Sequence, residues 1–129
     1  MKKLGILNRE LAGIFAKLGH TDQIVIADCG LPIPKDTICI DLSYTLGKPS
    51  FFSILEAVLD DLKVEQAFLA TEVISENPAL HTAIQQQLSN ITYITHEQFK
   101  EQTKNAKVII RTGEITPYAN VILQSGVIF

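Results

Sequence analysis

Apolar side chains recur along the chain with two different periods, and segments of the two kinds alternate. Residues 8–18 have the spacing of one helical face, with apolar side chains at Leu11, Ile14, Phe15 and Leu18. Asn8 is a good N-cap and Gly19 is a good residue just beyond the last turn. Residues 23–28, QIVIAD, are too short and too β-branched for a helix. The chain therefore begins with a predicted helix and a predicted strand.

Three further helices are predicted from their start signals. Ser50 begins a helix that runs to about Leu62. The pair Asn77-Pro78 is an N-cap followed by a proline in the first turn, and this helix runs to about Leu88. Thr95 and Gln98 form a capping box for the segment HEQFKEQT.

Apolar, β-rich segments lie between these helices, namely ICIDL, VEQAFLA, ITYI, KVIIRTGE and NVILQSGVIF. The alternation predicts one α/β domain over residues 1–129, a three-layer α/β/α unit with a mostly parallel open sheet. Ligands of such sheets bind outside the carboxyl ends of the strands. Asp28 and the pair Thr95-His96 lie at two such ends.

Composition narrows the classes of function. The net charge is −3 and the basic residues are scattered, so we expect no nucleic-acid partner. No apolar run is long enough to span a bilayer, and we expect a cytoplasmic protein without a membrane partner. Only 19 % of residues are charged against 47 % hydrophobic, which suggests that other subunits cover part of the surface.

The sequence indicates no cofactor and no metal. GLPIP lacks the glycine spacing of a phosphate-binding loop, and there is no Cys/His metal cluster. Cys29 and Cys39 have neither metal-ligand nor redox-motif spacing, so we expect buried free thiols.

His20 and Asp28 flank the first predicted strand. A loop histidine is either a solvated surface residue or a general acid or base, because imidazole titrates near neutral pH. Asp28 is either an Asx-turn residue or, in a pocket, a carboxylate suited to the vicinal hydroxyls of a sugar. Asp41, at another strand end, is its competitor.

His96 is predicted at the first position of a helix. The helix dipole there favours a neutral ring, and free N–H groups at the helix start can hold a ligand oxygen. The alternative is an exposed first-turn residue. His81, in the first turn of the preceding helix, is expected to be solvated and without a role.

The polar loop RTGEITPYAN lies between two apolar strands, and loops on rigid scaffolds tend to carry function. Tyr118 offers a ring face and a hydroxyl, and Asn120 offers both a donor and an acceptor. An ordinary turn, in which Asn120 satisfies main-chain groups, is the alternative.

The motifs LGHTDQIVIADCGLPIP, THEQFK and RTGE with PYAN resemble the ribose pyranase and fucose mutarotase family. The resemblance covers the chain from LN at residues 7–8 to GVIF at the carboxyl end. It implies a cofactor-free isomerase that interconverts the pyranose and furanose forms of ribose and supplies ribose for phosphorylation.

The same resemblance implies the roles of particular residues. His20 would be the proton donor, and the sugar contacts would be Asp28, His96, Tyr118, Ala119 and Asn120. It also implies rings of five subunits, often stacked into a decamer, with the site at a subunit boundary, and a functional link to ribose kinase and ribose transport.

Three other functions remain open from the sequence. The chain could be a mutarotase for another sugar such as fucose, a non-catalytic sugar-binding partner of a transporter or kinase, or a purely structural ring. Saturable sugar binding without faster ring exchange would indicate the binding partner, and no sugar binding would indicate the structural ring.

Overall fold

A computed structural model describes residues 1–129 and contains six strands and five helices. The strands are β1 Gln23–Ala27, β2 Cys39–Asp41, β3 Val64–Ala70, β4 Ile91–Ile94, β5 Val108–Arg111 and β6 Val121–Ser125. The helices are α1 Arg9–Phe15, α2 Phe51–Asp61, α3 Val73–Glu76, α4 Pro78–Gln87 and α5 His96–Thr103.

The strands form one open sheet in the order β2-β5-β1-β6-β3-β4. The pairs β1–β5, β2–β5 and β3–β4 are parallel, and only β6 runs against its neighbours β1 and β3. The predicted mostly parallel sheet is confirmed. We call the edge where β1 to β5 end and β6 begins the carboxyl edge, and the opposite edge the amino edge.

Apolar side chains cover both faces of this sheet, because successive side chains along each strand point to opposite faces and both faces are buried. One face packs against α1, α2 and α4 in a core of 18 buried residues that includes Leu11, Phe51 and Ile84. The other face carries six buried residues, among them Phe99 of α5 and Ile109 of β5. Helices therefore lie on both sides of the sheet, which confirms the predicted three-layer α/β/α architecture.

The strands VEQAFLA and ITYI and the capping box of α5 have the predicted positions. Helix α1 ends earlier than predicted, at Phe15, because the N–H groups of Lys17 and Leu18 donate to carbonyls only three residues back. This tighter turn leads directly into the loop that carries His20.

Asn77 is at the N-cap position of α4 and Pro78 begins the helix, as predicted, but the Asn77 side chain accepts no hydrogen bond from the helix. Its amide Nδ2 donates instead to Thr116 Oγ1 (3.0 Å) and to the carbonyl of Pro117 (2.9 Å). The short helix α3, which the sequence did not indicate, ends at Glu76 directly before it. Asn77 thus ties the start of α4 to the 111–120 loop.

Cys29 and Cys39 are free thiols as predicted, but they are not buried. Cys29 is half-buried, and Cys39 is exposed because it lies on the edge strand β2. Burial and the neighbouring Asp41 carboxylate nevertheless raise the pKa of the Cys39 thiol.

None of the helices has the length and apolar character needed to cross a membrane.

Candidate functional site

Asp28 and Asn120 form a reciprocal pair at the carboxyl edge. The Asp28 N–H donates to Asn120 Oδ1 at 2.8 Å, and Asn120 Nδ2 donates to Asp28 Oδ2 at 2.8 Å. The other carboxylate oxygen accepts the N–H of Gly30 at 2.9 Å. Asn120 is only 1 % exposed, so a buried amide fixes the direction of a half-buried carboxylate. The Asx-turn alternative for Asp28 is present as well, since the Gly30 contact is such a turn.

Tyr118 and His96 meet beside this pair, with ring centroids 5.1 Å apart and planes at 86°. The other face of His96 stacks on Phe99. Tyr118 has φ = 56°, a left-handed conformation that a bulky side chain rarely adopts. The two rings are therefore held in a fixed edge-to-face arrangement at some cost in backbone strain.

The start of α5 is only partly available to a ligand, because two of its N–H groups are bonded within the chain. The His96 N–H donates to both carboxylate oxygens of Glu72, at 2.9 and 3.2 Å. The Gln98 N–H donates to Thr95 Oγ1, which completes the capping box. Nδ1 of the His96 ring is buried without a hydrogen-bond partner.

Ala119 separates Tyr118 from Asn120 and is fully buried. Its methyl group packs in the larger core cluster, and neither its side chain nor its main chain is exposed in the single chain. The Asn120 N–H donates to the Tyr118 carbonyl at 2.9 Å, which closes a tight turn at the start of β6. That turn presents Tyr118 and Asn120 at the same edge as Asp28 and His96.

His20 lies at the other end of β1, at the amino edge. Its Nε2 is 2.8 Å from Glu65 Oε2, at the start of β3. The second oxygen of Glu65 accepts Gln124 Nε2, also at 2.8 Å. The Gln124 amide and then the His20 ring hold the pKa of Glu65 below its usual value. Glu65 therefore remains an anion beside His20.

The turn that carries His20 is tightly bonded. The Gly19 N–H donates to Asp22 Oδ2 at 2.9 Å, and the Thr21 N–H donates to the Ser125 carbonyl at 2.9 Å. Thr21 has φ = 70° and is, with Tyr118, one of the two non-glycine residues with positive φ. The amino edge and the carboxyl edge thus each carry one strained residue next to a candidate functional side chain.

The structure brings together Asp28, His96, Tyr118, Ala119 and Asn120, and it places His20 apart from them. Because β1 has five residues at roughly 3.3 Å each, its ends are about 16 Å apart. Within one chain, His20 cannot reach a ligand bound at the carboxyl edge.

Residues 1–128 match the RbsD / FucU transport protein family. The chain belongs to this family. A curated relative named D-ribose pyranase, from Halalkalibacterium halodurans, is 60 % identical over 129 residues, with all of both chains covered. The structure of Bacillus subtilis RbsD complexed with D-ribose superposes with a TM-score of 0.98 at 49 % identity, over all of both chains. Fucose mutarotase from Streptococcus pneumoniae in complex with L-fucose gives 0.78 at 23 % identity, again over all of both chains, which shows a shared fold.

In this RbsD/FucU chain, Asp41 is engaged away from the candidate site. Its carboxylate accepts the Ser43 hydroxyl and Arg111 Nη1 (2.8 Å), and the Ser43 hydroxyl is the main reason that the pKa of Asp41 lies below its usual value. Arg111 also donates through Nε and Nη2 to the carbonyl of Cys29, at 3.2 and 3.0 Å. The Asp41–Arg111 pair therefore supports the loop after Asp28 and does not compete with it.

The sequence analysis missed two side chains of this family member that hold site residues in place. Glu72 binds the start of α5, and Glu65 binds His20. Glu72 follows β3 at the carboxyl edge, and that position was the one available signal. The contact between Glu65 and His20 joins residues more than forty positions apart. His81 was expected to be solvated, but it is half-buried, and its Nε2 lies 2.7 Å from the Tyr93 hydroxyl.

Proposed function

We propose that this chain catalyses the interconversion of the pyranose and furanose forms of D-ribose by acid–base ring opening and reclosure. The observation that carries the proposal is the fixed Asp28–Asn120 pair beside the His96 and Tyr118 rings. A carboxylate with an amide suits the vicinal hydroxyls of a sugar, and rings close off one side. The similarity to proteins named D-ribose pyranase, over the full chain, supports ribose as the sugar.

Ring opening of a cyclic hemiacetal moves two protons and needs no redox step. One proton leaves the anomeric hydroxyl and another reaches the ring oxygen, and reclosure on a different hydroxyl reverses both transfers. His20 is the group for proton donation, and such a group speeds a reaction by roughly 10²–10⁴-fold. Asp28 orients the sugar, Asn120 holds Asp28, and His96, Tyr118 and the main chain of Ala119 complete the contacts.

The proposal requires a second subunit, because His20 and Asp28 lie at opposite edges of one sheet. Each domain of residues 1–129 supplies its carboxyl edge to one boundary and its His20 turn to another. Head-to-tail contacts of this kind close into rings. Rings of five, stacked into a decamer, are the assembly we propose. Exposed apolar side chains such as Ile38, Tyr44 and Leu46 support a covered surface.

The cellular setting follows from the chemistry of the product. A ring form of ribose is consumed by a phosphorylating enzyme, so we place the protein in the cytoplasm, functionally linked to a ribose kinase and to ribose uptake. A stimulation of ribose phosphorylation by added protein, at limiting ring exchange, would support this link. No stimulation under those conditions would remove it.

The first experiment is exchange NMR of D-ribose at neutral pH, with and without catalytic amounts of the protein. Faster exchange between pyranose and furanose signals is expected, and L-fucose serves as the matched sugar control. Saturable ribose binding without faster exchange would replace the enzyme by a sugar-binding partner. Faster exchange of L-fucose with unaffected ribose would move the activity to the other sugar.

A mixing experiment tests the shared site. His20→Ala and Asp28→Ala are expected to be inactive separately. When subunits of the two variants are refolded together in equal amounts, about one quarter of the boundaries regain both intact halves. Mixing the two variants without subunit exchange is the control. Activity no higher than the sum of the separate variants would show that the site is not shared.

A further inference from the structure

The amino edge contains an irregularity in β3 that the proposed chemistry does not by itself require. Val64 pairs with Ser125 and Gln66 pairs with Gln124, so Glu65 is an extra residue in the ladder between β3 and β6. A β-bulge of this kind bends the strand and re-aims a side chain, and bulges are common next to active sites. The bulge places the Glu65 carboxylate against the His20 ring.

A row of side-chain amides holds this carboxylate across three strands. Gln124 of β6 donates to Glu65 at 2.8 Å, and Gln23 of β1 donates to Gln124 at 3.1 Å. Gln102 of α5 in turn donates to Gln23 at 3.3 Å. Gln124 and Gln23 each use one donor and one acceptor, and the Glu65 carboxylate at the end of the row can only accept, so the direction of the row is set. Glu65 is thus anchored by the sheet, whereas most surface carboxylates are free to rotate.

The contact with Glu65 determines which nitrogen of His20 is available for chemistry. An ionised carboxylate can only accept, so His20 Nε2 must carry a hydrogen and donate it. Nδ1 is then the nitrogen that gives or takes the reacting proton. The strained Thr21 and the bonded turn keep the ring in this orientation.

From this geometry we infer that Glu65 is a positioning residue: it fixes the ring and tautomer of His20 and so leaves Nδ1 for proton transfer. The inference rests on the proposed function for the catalytic role of His20.

The other charged groups of the turn are engaged elsewhere. The Asp22 carboxylate accepts the Gly19 N–H and lies 3.6 Å from Lys107 Nζ. From β6, the neighbouring side chain is the neutral Gln124. Glu65 is therefore the charge that acts on His20 from the packed strands. An ordinary exposed ion pair, worth little to stability or function, is the competing explanation.

NMR of the three histidine rings tests the inference without reference to activity. In the wild-type protein, ring ¹⁵N shifts of His20 are expected to show the Nε2–H tautomer, with signals assigned by their loss in His20→Ala. In Glu65→Gln, the ring shifts of His20 are expected to show a mixture of both tautomers, because an amide can either accept from the ring or donate to it. Glu65→Asp keeps a group that can only accept, and it is expected to retain the Nε2–H tautomer.

Ribose exchange kinetics provide the second test. In Glu65→Gln the maximal exchange rate is expected to fall about 10- to 100-fold with little change in KM, because the partner of a functional ring is lost and the sugar contacts remain. Glu56→Gln, which removes the same charge from an exposed position on α2 with no side-chain partner, is the matched control and keeps wild-type kinetics.

The outcomes separate this inference from the proposed function. An active wild-type protein, together with an unchanged exchange rate and an unchanged His20 tautomer in Glu65→Gln, would overturn the role of Glu65 alone. A wild type without catalysed exchange would overturn the proposed function, while the NMR result still decides whether Glu65 orients His20. If Glu65→Gln does not assemble, Gln124→Leu, which frees the carboxylate but keeps its charge, is expected to slow exchange about 3- to 10-fold; no change there would also contradict the inference.

Discussion

Both edges of the sheet contain a carboxylate bonded to a side-chain amide, but the two pairs differ in burial. At the carboxyl edge, Asp28 is bonded to Asn120, an amide that is 1 % exposed and belongs to the core. At the amino edge, Glu65 is bonded to Gln124, and the carboxylate and its histidine are 33 % and 54 % exposed. The first edge is completed within the chain and the second is left open. Changes at the first should therefore affect folding and function together, and changes at the second function alone.

The largest difference between the two edges is expected in the free energy of unfolding, when a second carboxylate is introduced beside Asp28 or beside Glu65. Asn120→Asp puts a second buried charge against Asp28 and removes the Nδ2 donor, and it is expected to lower the free energy of unfolding by about 3–5 kcal/mol. Gln124→Glu makes the equivalent change beside Glu65, where solvent screens the charges, and costs under about 1 kcal/mol.

Urea unfolding at a fixed protein concentration measures both variants. Asn120→Leu, which is uncharged, separates the effect of charge from the loss of hydrogen bonds and should destabilise the protein less than Asn120→Asp. Equal destabilisation by Asn120→Asp and Gln124→Glu would contradict the distinction between the edges.

His20→Ala should separate function from stability at the amino edge. The ribose exchange rate is expected to fall by about 10²–10⁴-fold, because the proton donor is lost. The free energy of unfolding should change by no more than about 0.5 kcal/mol, since an exposed side chain is removed. Exchange NMR and urea unfolding of the same sample give both numbers. A stability loss above 2 kcal/mol would show that the turn, too, belongs to the core.

Replacing each of the two strained residues by glycine is expected to have smaller effects on stability, and the two effects should have opposite signs. Thr21→Gly relieves a left-handed conformation and is expected to stabilise the protein by about 0.5–1 kcal/mol, while exchange slows as the His20 turn loosens. Tyr118→Gly relieves similar strain but removes the ring that packs on His96, for a net loss of about 1–3 kcal/mol. Thermal unfolding of both variants would show the opposite signs, and a shift in the same direction would refute the comparison.

The smallest effect is expected from the protonation of Glu65 at the amino edge at acid pH. Because the pKa of Glu65 is lower in the folded chain than its ordinary value of 4.5, its ionised form adds stability above that pH. This contribution is lost as pH falls through the folded pKa. The Tm difference between the wild type and Glu65→Gln is therefore expected to shrink below about pH 4.5. Thermal scans from pH 3 to 7 would reveal it, and a constant difference would argue against an ionised Glu65.

Local signals predicted most of the elements because local physics controls them, although α1 ends earlier than predicted and α3 was not indicated. The capping box of α5 and the β-branched runs of β3 and β4 need only neighbouring residues, and they lie where predicted. The antiparallel direction of β6 depends on contacts between distant segments. That direction brings the loop with Tyr118 to the carboxyl edge, where Asp28 directly follows β1.

The candidate residues were identified mainly by the resemblance to a known family, but their arrangement in space was not predicted from the sequence. No pattern in the sequence shows that Glu72 occupies the N–H group at the start of α5, because the two segments meet only through the parallel pairing of β3 and β4. Glu65 was missed for a similar reason: a bulge is defined by the partner strand. The separation of His20 from Asp28 could have been inferred from the strand between them, since a strand holds its two ends apart.

The length of β1 has a consequence for how the proposed activity depends on concentration. With the shared site proposed above, a lone chain contains every proposed functional side chain but no complete site, so a newly made or highly diluted subunit is expected to be inactive. An open row of subunits has one site fewer than it has members, and closure of the ring adds the missing one. Specific activity on dilution would then report ring opening directly, and the enzyme would serve as its own probe of assembly.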